Sequence, residues 1–173
     1  MDCLEEAKYT VFEYVFPLLP SLLSADPRVR QMCMDNKCHA YGRNWTCPPA
    51  CGSIEECQAR MEKYRRGILL QTAGSLSKDI DSKGYRDAER LHMERLRKLC
   101  AKVKQEYPDA LCLGSGACRV CKTCAYPEPC RHPDQALCSM ESHGLFVTQV
   151  CRDCGASYHH GPRTITFTAC ILY

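Results

Sequence analysis

Four cysteines fall within thirteen residues, Cys118, Cys121, Cys124 and Cys130, spaced C-x2-C-x2-C-x5-C and followed by Pro133. Three thiols at that repeat converge only if the backbone curls around a common centre, so this stretch constrains whatever folds beside it. Iron–sulfur clusters are held in this way, and the bacterial ferredoxin run C-x2-C-x2-C-x3-C-P is close to the same spacing. The last gap is five residues here and three there. Because the fourth cysteine of the ferredoxin run ligates the other cluster of a pair, Cys130 has two readings. It closes its own cluster, which we favour, or it reaches across to a second one.

Cysteine is also the anomaly of the whole composition, at 16 of 173 residues. Such density in a short secreted chain would signal a disulfide framework. Here the thiols are bunched, and Met1-Asp-Cys-Leu-Glu-Glu-Ala-Lys8 lacks the positive region and apolar run of a signal peptide. Bunched thiols in a reducing compartment favour metal over disulfides. No stretch approaches the roughly 18 consecutive apolar residues of a membrane helix. A net charge of +3, without a basic stripe interleaved with aromatic residues, argues against a nucleic-acid partner. The expectation is a soluble, cytoplasmic chain forming one metal-binding domain over residues 1–173.

A second group of thiols precedes the first. Cys33, Cys38, Cys47 and Cys51 are spaced C-x4-C-x8-C-x3-C, among Gly42, Pro48, Pro49 and Gly52. Those residues predict a loop with fixed bends rather than a regular element. With Cys57 on the helix that follows, the first cysteine block covers residues 33–57; the second covers 114–138. Free cysteine often acts as a small buried hydrophobe, and Cys57 and Cys100 are read that way. Trp45, the single tryptophan, is expected to cover one side of the first block and limit water access, which is one lever on cluster potential.

The regular elements are legible between the blocks. Lys8–Phe16 is aromatic and β-branched and predicts a strand ended by Pro17. Asp26-Pro27 predicts an N-cap and a short helix towards Met34. Ser53 and Glu56 match a capping box, with a helix from Ile54 to about Arg65. Gly67–Thr72 reads as a strand and the segment from Ala73 to Gly84 as a polar loop. From Tyr85 to Tyr107 an apolar stripe of Leu96, Leu99, Cys100, Val103 and Tyr107 predicts a long amphipathic helix, with His92 at its boundary. Ala110–Leu113 is a short strand leading to Gly114 and Gly116, whose backbones are expected to approach the first ligands closely. A helical turn after Pro133 should carry Ala136, Leu137 and Cys138, and a helix from about Leu145 should end near Gly155. Thr164–Leu172 alternates and reads as a strand. The fold class is therefore α/β or α+β, a small sheet with flanking helices and two cysteine-rich metal-binding loops.

These motifs together resemble a known family. Cys33-x4-Cys38, Tyr41-Gly-x-Asn44-Trp45-x-Cys47-Pro-Pro-x-x-Gly52, the run closing Cys130-Arg-x-Pro133, Ser139-Met140-Glu141 with Gly144, and Gly161-Pro-x-Thr164-Ile-Thr all recur in it. It is a family of predicted metal-binding proteins from anaerobic bacteria and archaea, a domain of unknown function. The resemblance covers the chain from about Val29 onward and implies cysteine-bound metal, foremost iron–sulfur. It supplies no reaction, and Cys151 and Cys154 lie outside its pattern.

Two [4Fe–4S] clusters take eight thiolates, and Cys33, Cys38, Cys47, Cys51, Cys118, Cys121, Cys124 and Cys130 are eight. The competing metal is zinc, whose structural sites pair two C-x2-4-C knuckles; Cys118 and Cys121 with Cys151 and Cys154 would suit it. That arrangement leaves Cys124, Cys130 and the whole first block without a role. For the clusters, the leading function is an electron carrier serving a redox partner protein. The alternatives are an enzyme whose open iron binds substrate, with Cys51 then not a ligand, and a zinc-binding structural protein. No nucleophile–base pair or phosphate loop is present, Gly114-x-Gly116 being too short for a dinucleotide fingerprint. His132, His159 and His160 are read as solvated loop residues in preference to proton donors.

Overall fold

Gly67–Ser75 (β2) pairs antiparallel along its nine residues with Thr164–Leu172 (β4), in register from Gly67 with Leu172 to Ser75 with Thr164. Tyr14–Leu18 (β1) adds to the free edge of β2, and Leu111–Leu113 (β3) to that of β4. The order is β1-β2-β4-β3, with antiparallel pairing at each step. With no parallel pair of strands in this sheet there is no βαβ unit, and the domain is α+β. The computed structural model describes Ala7 and residues 12–173. The helices are Pro27–Met34 (α1), Ile54–Met61 (α2), Ser82–Glu106 (α3) and Val147–Asp153 (α4).

Alternation sorts the sheet residues onto two faces. Ile68 and Leu70 of β2, with Ala169 and Ile171 of β4, meet Leu96, Leu99, Cys100 and Val103 of α3. Leu69, Cys170, Leu172 and Leu113 point the other way, onto Met61, Met140, Leu145, Val150 and Cys151. Both faces are covered, so the consecutive residues Ile68, Leu69 and Leu70 of β2 are all apolar and buried. Each buried leucine side chain contributes roughly 1.5–3 kcal/mol relative to exposure. Among the described residues, no helix is long and apolar enough to cross a membrane.

Several boundaries differ from the sequence expectation. Of the expected first strand, Lys8–Val11 lies outside the described residues, and β1 runs through Pro17 to Leu18 instead of stopping before it. Proline lacks an N–H, which an edge strand tolerates on its unpaired side, and among the described residues β1 pairs with β2 alone. β2 extends over Ala73, Gly74 and Ser75 because β4 offers them partners. α3 starts at Ser82, where the Asp81 side chain accepts from Gly84 N at 2.8 Å. The loop between is thus residues 76–81. α2 has its capping box, Ser53 and Glu56, but stops at Met61, with Tyr64 turned to donate to Asp109 O at 2.6 Å. The turn after Pro133 ends at Gln135, leaving Cys138 outside any regular element. His92 is no boundary residue: it is fully buried, with Nδ1 2.9 Å from Thr72 Oγ1.

The cysteine blocks are excursions from this frame. The first joins α1 to α2. The second is a loop with a closed neck: Gly114 N donates to Cys138 O at 2.8 Å and Met140 N to Gly114 O at 2.9 Å. At that neck Gly114 lies against α3, where a Cβ would stand 2.8 Å from Met93 Cε. The close approach that requires this glycine is therefore to a helix, not to the thiols. Gly116, at φ +65, faces Glu89 of the same helix.

Candidate metal centre

Cys118, Cys121, Cys124 and Cys130, each half-buried, line one pocket. Asn44, Trp45 and Thr46 of the first block form its opposite wall. Asn44 is buried; its Nδ2 donates to Cys118 O at 3.1 Å while its Oδ1 accepts from Thr46 N and Thr46 Oγ1, both at 3.0 Å. Thr46 Oγ1 in turn accepts from Cys118 N at 3.2 Å. Both backbone polar groups of Cys118 are thus satisfied by the other block, although the residue belongs to no helix or strand. Trp45 Nε1 donates to Glu128 O at 2.8 Å and its ring packs edge-on to Tyr126, 5.0 Å between centroids. The Asn44-Trp45-Thr46 stretch is therefore a clamp on the second block. The tryptophan covers this pocket as well as the first block that was expected to own it.

Burial pushes the Cys118 thiol up, opposed by the Val120 amide and Arg97 and reinforced by Cys124 and Cys130. The mutual effect of these thiols means that they share one neighbourhood. Four thiols and the His132 imidazole are the metal-ligating groups of the lining, and no carboxylate is among them. Such soft donors suit iron–sulfur clusters and zinc, so the residues present fit a thiolate-bound metal group.

The first block gathers more thiols than its spacing announced. Cys33 ends α1; Cys47 opens a turn in which Cys51 N donates to Cys47 O at 3.1 Å. Burial raises Cys47 to about 12, a hydrogen bond from Thr46 opposes the shift, and Cys38, Cys33 and Cys138 add to it. Burial likewise raises Cys33, with Arg30 opposing and Cys38 reinforcing. Cys138, at the neck of the second block, lines a depression with Trp45, Cys51 and Arg60 and packs on the core beneath the sheet, a placement that spacing along the chain did not give. The signal that could have found it is its position just before the Ser139-Met140-Glu141 turn, which packs on α1.

Two arginines knit this region. Arg30 Nη1 donates to Gly52 O at 2.8 Å and Nη2 to Ser142 O at 3.1 Å, with Nη2 3.7 Å from Cys57 Sγ. Arg60 donates to Cys51 O, stands 3.8 Å from Cys57 Sγ and reaches His143 Nε2 at 3.4 Å. Cys51 Sγ donates to Ser142 O at 3.4 Å. The Cys57 thiol is drawn down by its hydrogen bond to Cys51 and by both guanidinium groups, against the cost of burial, while Cys51 is pushed up.

The remaining described thiols pack. Cys151 is buried near Gln71 Nε2 at 3.5 Å and Thr168 Oγ1 at 3.9 Å, within the core under the sheet. Cys154 packs on that same core, and Cys100 and Cys112 sit in the core facing α3. Cys151 and Cys154 therefore do not assemble a four-thiol site with Cys118 and Cys121. Among the described residues, no three of the His, Cys, Asp and Glu side chains stand close enough to hold one metal ion. The thiolates of a multi-iron cluster are spaced more widely than ligands to one ion, because several irons lie between them. His132 lines the pocket of the second block. His160 is not a free loop residue: it stacks on Tyr14 at 4.0 Å and its Nε2 lies 3.2 Å from Gln71 Oε1.

Fold and site together describe a cysteine-rich α+β domain with thiols gathered in two adjoining neighbourhoods, an arrangement that fits metal binding. The chain belongs to the family described as "Predicted metal-binding protein (DUF2284)", whose profile matches residues 18–173. No curated protein and no solved structure matches it.

Proposed function

We propose that the protein carries electrons, one at a time, between two [4Fe–4S] clusters and a redox partner protein. The observation that carries this reading is the pocket lined by Cys118, Cys121, Cys124 and Cys130 with no oxygen acid beside them. In this reading these four hold one group, Cys130 closing its own cluster. Cys33, Cys38 and Cys47 hold the other, with a fourth thiol from beside them, for which Cys51 is the candidate by spacing. Clusters of this kind exchange single electrons at potentials set by charge, hydrogen bonds to sulfur and solvent exposure. The chain's own residues act on those levers. The Val120 amide favours the thiolate of Cys118, Asn44 and Thr46 hold its backbone, and Trp45 with Tyr126 restricts water. A short-lived electron-transfer contact needs only a small interface.

A cluster-dependent enzyme is the second reading, favoured by a cavity of about 440 Å³ between α3 and the second block. Arg86, Glu89, Arg97, Ser115, Arg119 and Val120 are among its lining, and Val120 also lines the thiol pocket. Anaerobically purified protein should be brown, with about eight irons and eight acid-labile sulfides per chain, and Cys118→Ser should lose about half of each. Stoichiometric zinc without sulfide would refute the cluster reading. Cyanide or carboxylate anions that perturb the EPR spectrum of one cluster would replace the carrier with the enzyme.

A further inference from the structure

Arginines from two elements meet at one hollow. Arg86, Arg90 and Arg97 lie on a single stripe of α3, together with Glu89, Met93 and Glu94, and Arg119 comes from the second block. They line the cavity of about 440 Å³ between helix and block, a volume in the range of small-molecule sites. Met93, buried on α3, with Ala117 and Val120 supplies the apolar part of the lining.

The two carboxylates of that lining are already answered. Glu94 Oε1 accepts from Arg90 Nη1 at 3.0 Å, and the buried Glu89 carboxylate has Arg119 Nε at 3.7 Å. Arg97 commits only its Nε, to Gln135 O at 3.3 Å, and among the described residues neither Arg97 nor Arg86 is in an ion pair. The cavity therefore carries a surplus of positive charge. Guanidinium groups hold it, and their planar fork matches the two oxygens of a carboxylate or phosphate. A cationic guest would meet that surplus as repulsion, and a wholly apolar one would cover charges it could not pair.

The cavity also shares a wall with the thiols. Ala117 and Arg119 line it, Cys118 and Cys121 line the pocket on the other side, and Val120 lines both. Gln135, the residue that holds Arg97, lines the cavity, and its neighbour Ala136 lines the thiol pocket. Arg97 is thus the uncommitted guanidinium tied to the shared wall.

We propose that this cavity binds a small organic anion, an apolar body ending in a carboxylate or phosphate, with the terminal nitrogens of Arg97 on the oxyanion and Met93, Ala117 and Val120 against the body. The proposal goes beyond the electron-carrier reading and holds whichever metal the thiols bind. It sets the guest one side chain, that of Val120, from the group held by Cys118 and Cys121.

The test is a ligand-observed NMR titration of the full-length protein, purified anaerobically, at constant ionic strength. The probes are phenylacetate, phenyl phosphate, the neutral phenylacetamide, inorganic phosphate and a tetraglutamate peptide. One of the two aromatic anions should bind about tenfold or more tightly than the amide, the fold-change of one charge-assisted hydrogen bond. Arg97→Gln should weaken that anion by a similar factor. Lys98→Gln, which removes the same charge from α3 outside the cavity, should leave its affinity unchanged. Equal binding of anion and amide overturns the proposal, as does equal weakening by Arg97→Gln and Lys98→Gln. Inorganic phosphate binding as tightly as the aromatic anions would show that no organic body is recognised, which refutes it too. Tighter binding of tetraglutamate would make the hollow a docking site for an acidic protein instead. Should Arg97→Gln not fold, the comparison of anions with amide on the wild type decides the matter.

Discussion

His92 lies fully buried between Phe12, which it meets edge-on at 5.8 Å, and Phe167 at 6.0 Å. Its Nδ1 has Thr72, while its Nε2 has no hydrogen-bond partner. Burial, helped by Arg95, lowers its pKa from 6.5 to about 3. The folded chain therefore binds fewer protons than the unfolded chain between those values, so this residue's contribution is intact above pH 6.5 and is lost as pH falls towards 3. The slope for one group is about 1.4 kcal/mol per pH unit. Denaturant unfolding of the wild type and His92→Gln from pH 7 to pH 4.5 should show the variant's stability falling less steeply by about that amount. Parallel curves would mean that His92 is solvated. The sequence placed this histidine one turn before Leu96 and read it as a boundary residue, wrongly, because the residues that enclose it, Phe12, Thr72 and Phe167, are far away along the chain.

Packing of elements turns on contacts as small as one methyl group. α3 approaches β2 where a Cβ on Gly74 would stand 2.7 Å from Ala88 Cβ and 3.3 Å from Ile165 Cγ2. The Ala88 methyl has no rotamer by which to withdraw, so Gly74→Ala should push the helix from the sheet and cost about 1–3 kcal/mol. Adding Ala88→Gly should recover part of that loss, less about 1 kcal/mol for glycine inside a helix. Thermal and denaturant unfolding of the three variants would check it, and a Gly74→Ala protein as stable as wild type would show that the contact relaxes freely. The same scale explains which elements were legible beforehand. Thr164–Leu172 and Pro27–Met34 were read to the residue, because alternation in one and the Asp26-Pro27 cap in the other are local signals. Gly74 was read as loop because small and polar residues look alike in a turn and beneath a helix. Only the partner strand and α3 distinguish the two.

At the scale of the whole molecule, the sheet with α3 and the two cysteine blocks are held by different forces. The first rests on two apolar clusters made without any thiolate ligand; the blocks rest on turns, clamps and the proposed metal. Hydrogen exchange should separate them. Stripping the metal with chelator and oxidant should leave amides of β2 and β4 protected, while those of residues 35–52 and 115–137 exchange faster. Uniform loss of protection would show that the metal holds up the entire fold. Cysteine spacing revealed both blocks, yet the place of Cys138 at the neck, packed on the core beneath the sheet, was invisible to it. A spacing rule measures distance along the chain, and the neck at Gly114 and Ser139 brings together residues 25 positions apart. That neck continues into the Ser139–Gly144 turn, on which α1, the Cys51 turn and the second block all bear. If both proposed groups bind, each would order that shared turn, and loading of the two centres would then be a coupled equilibrium, with singly loaded chains scarcer than independent sites would make them.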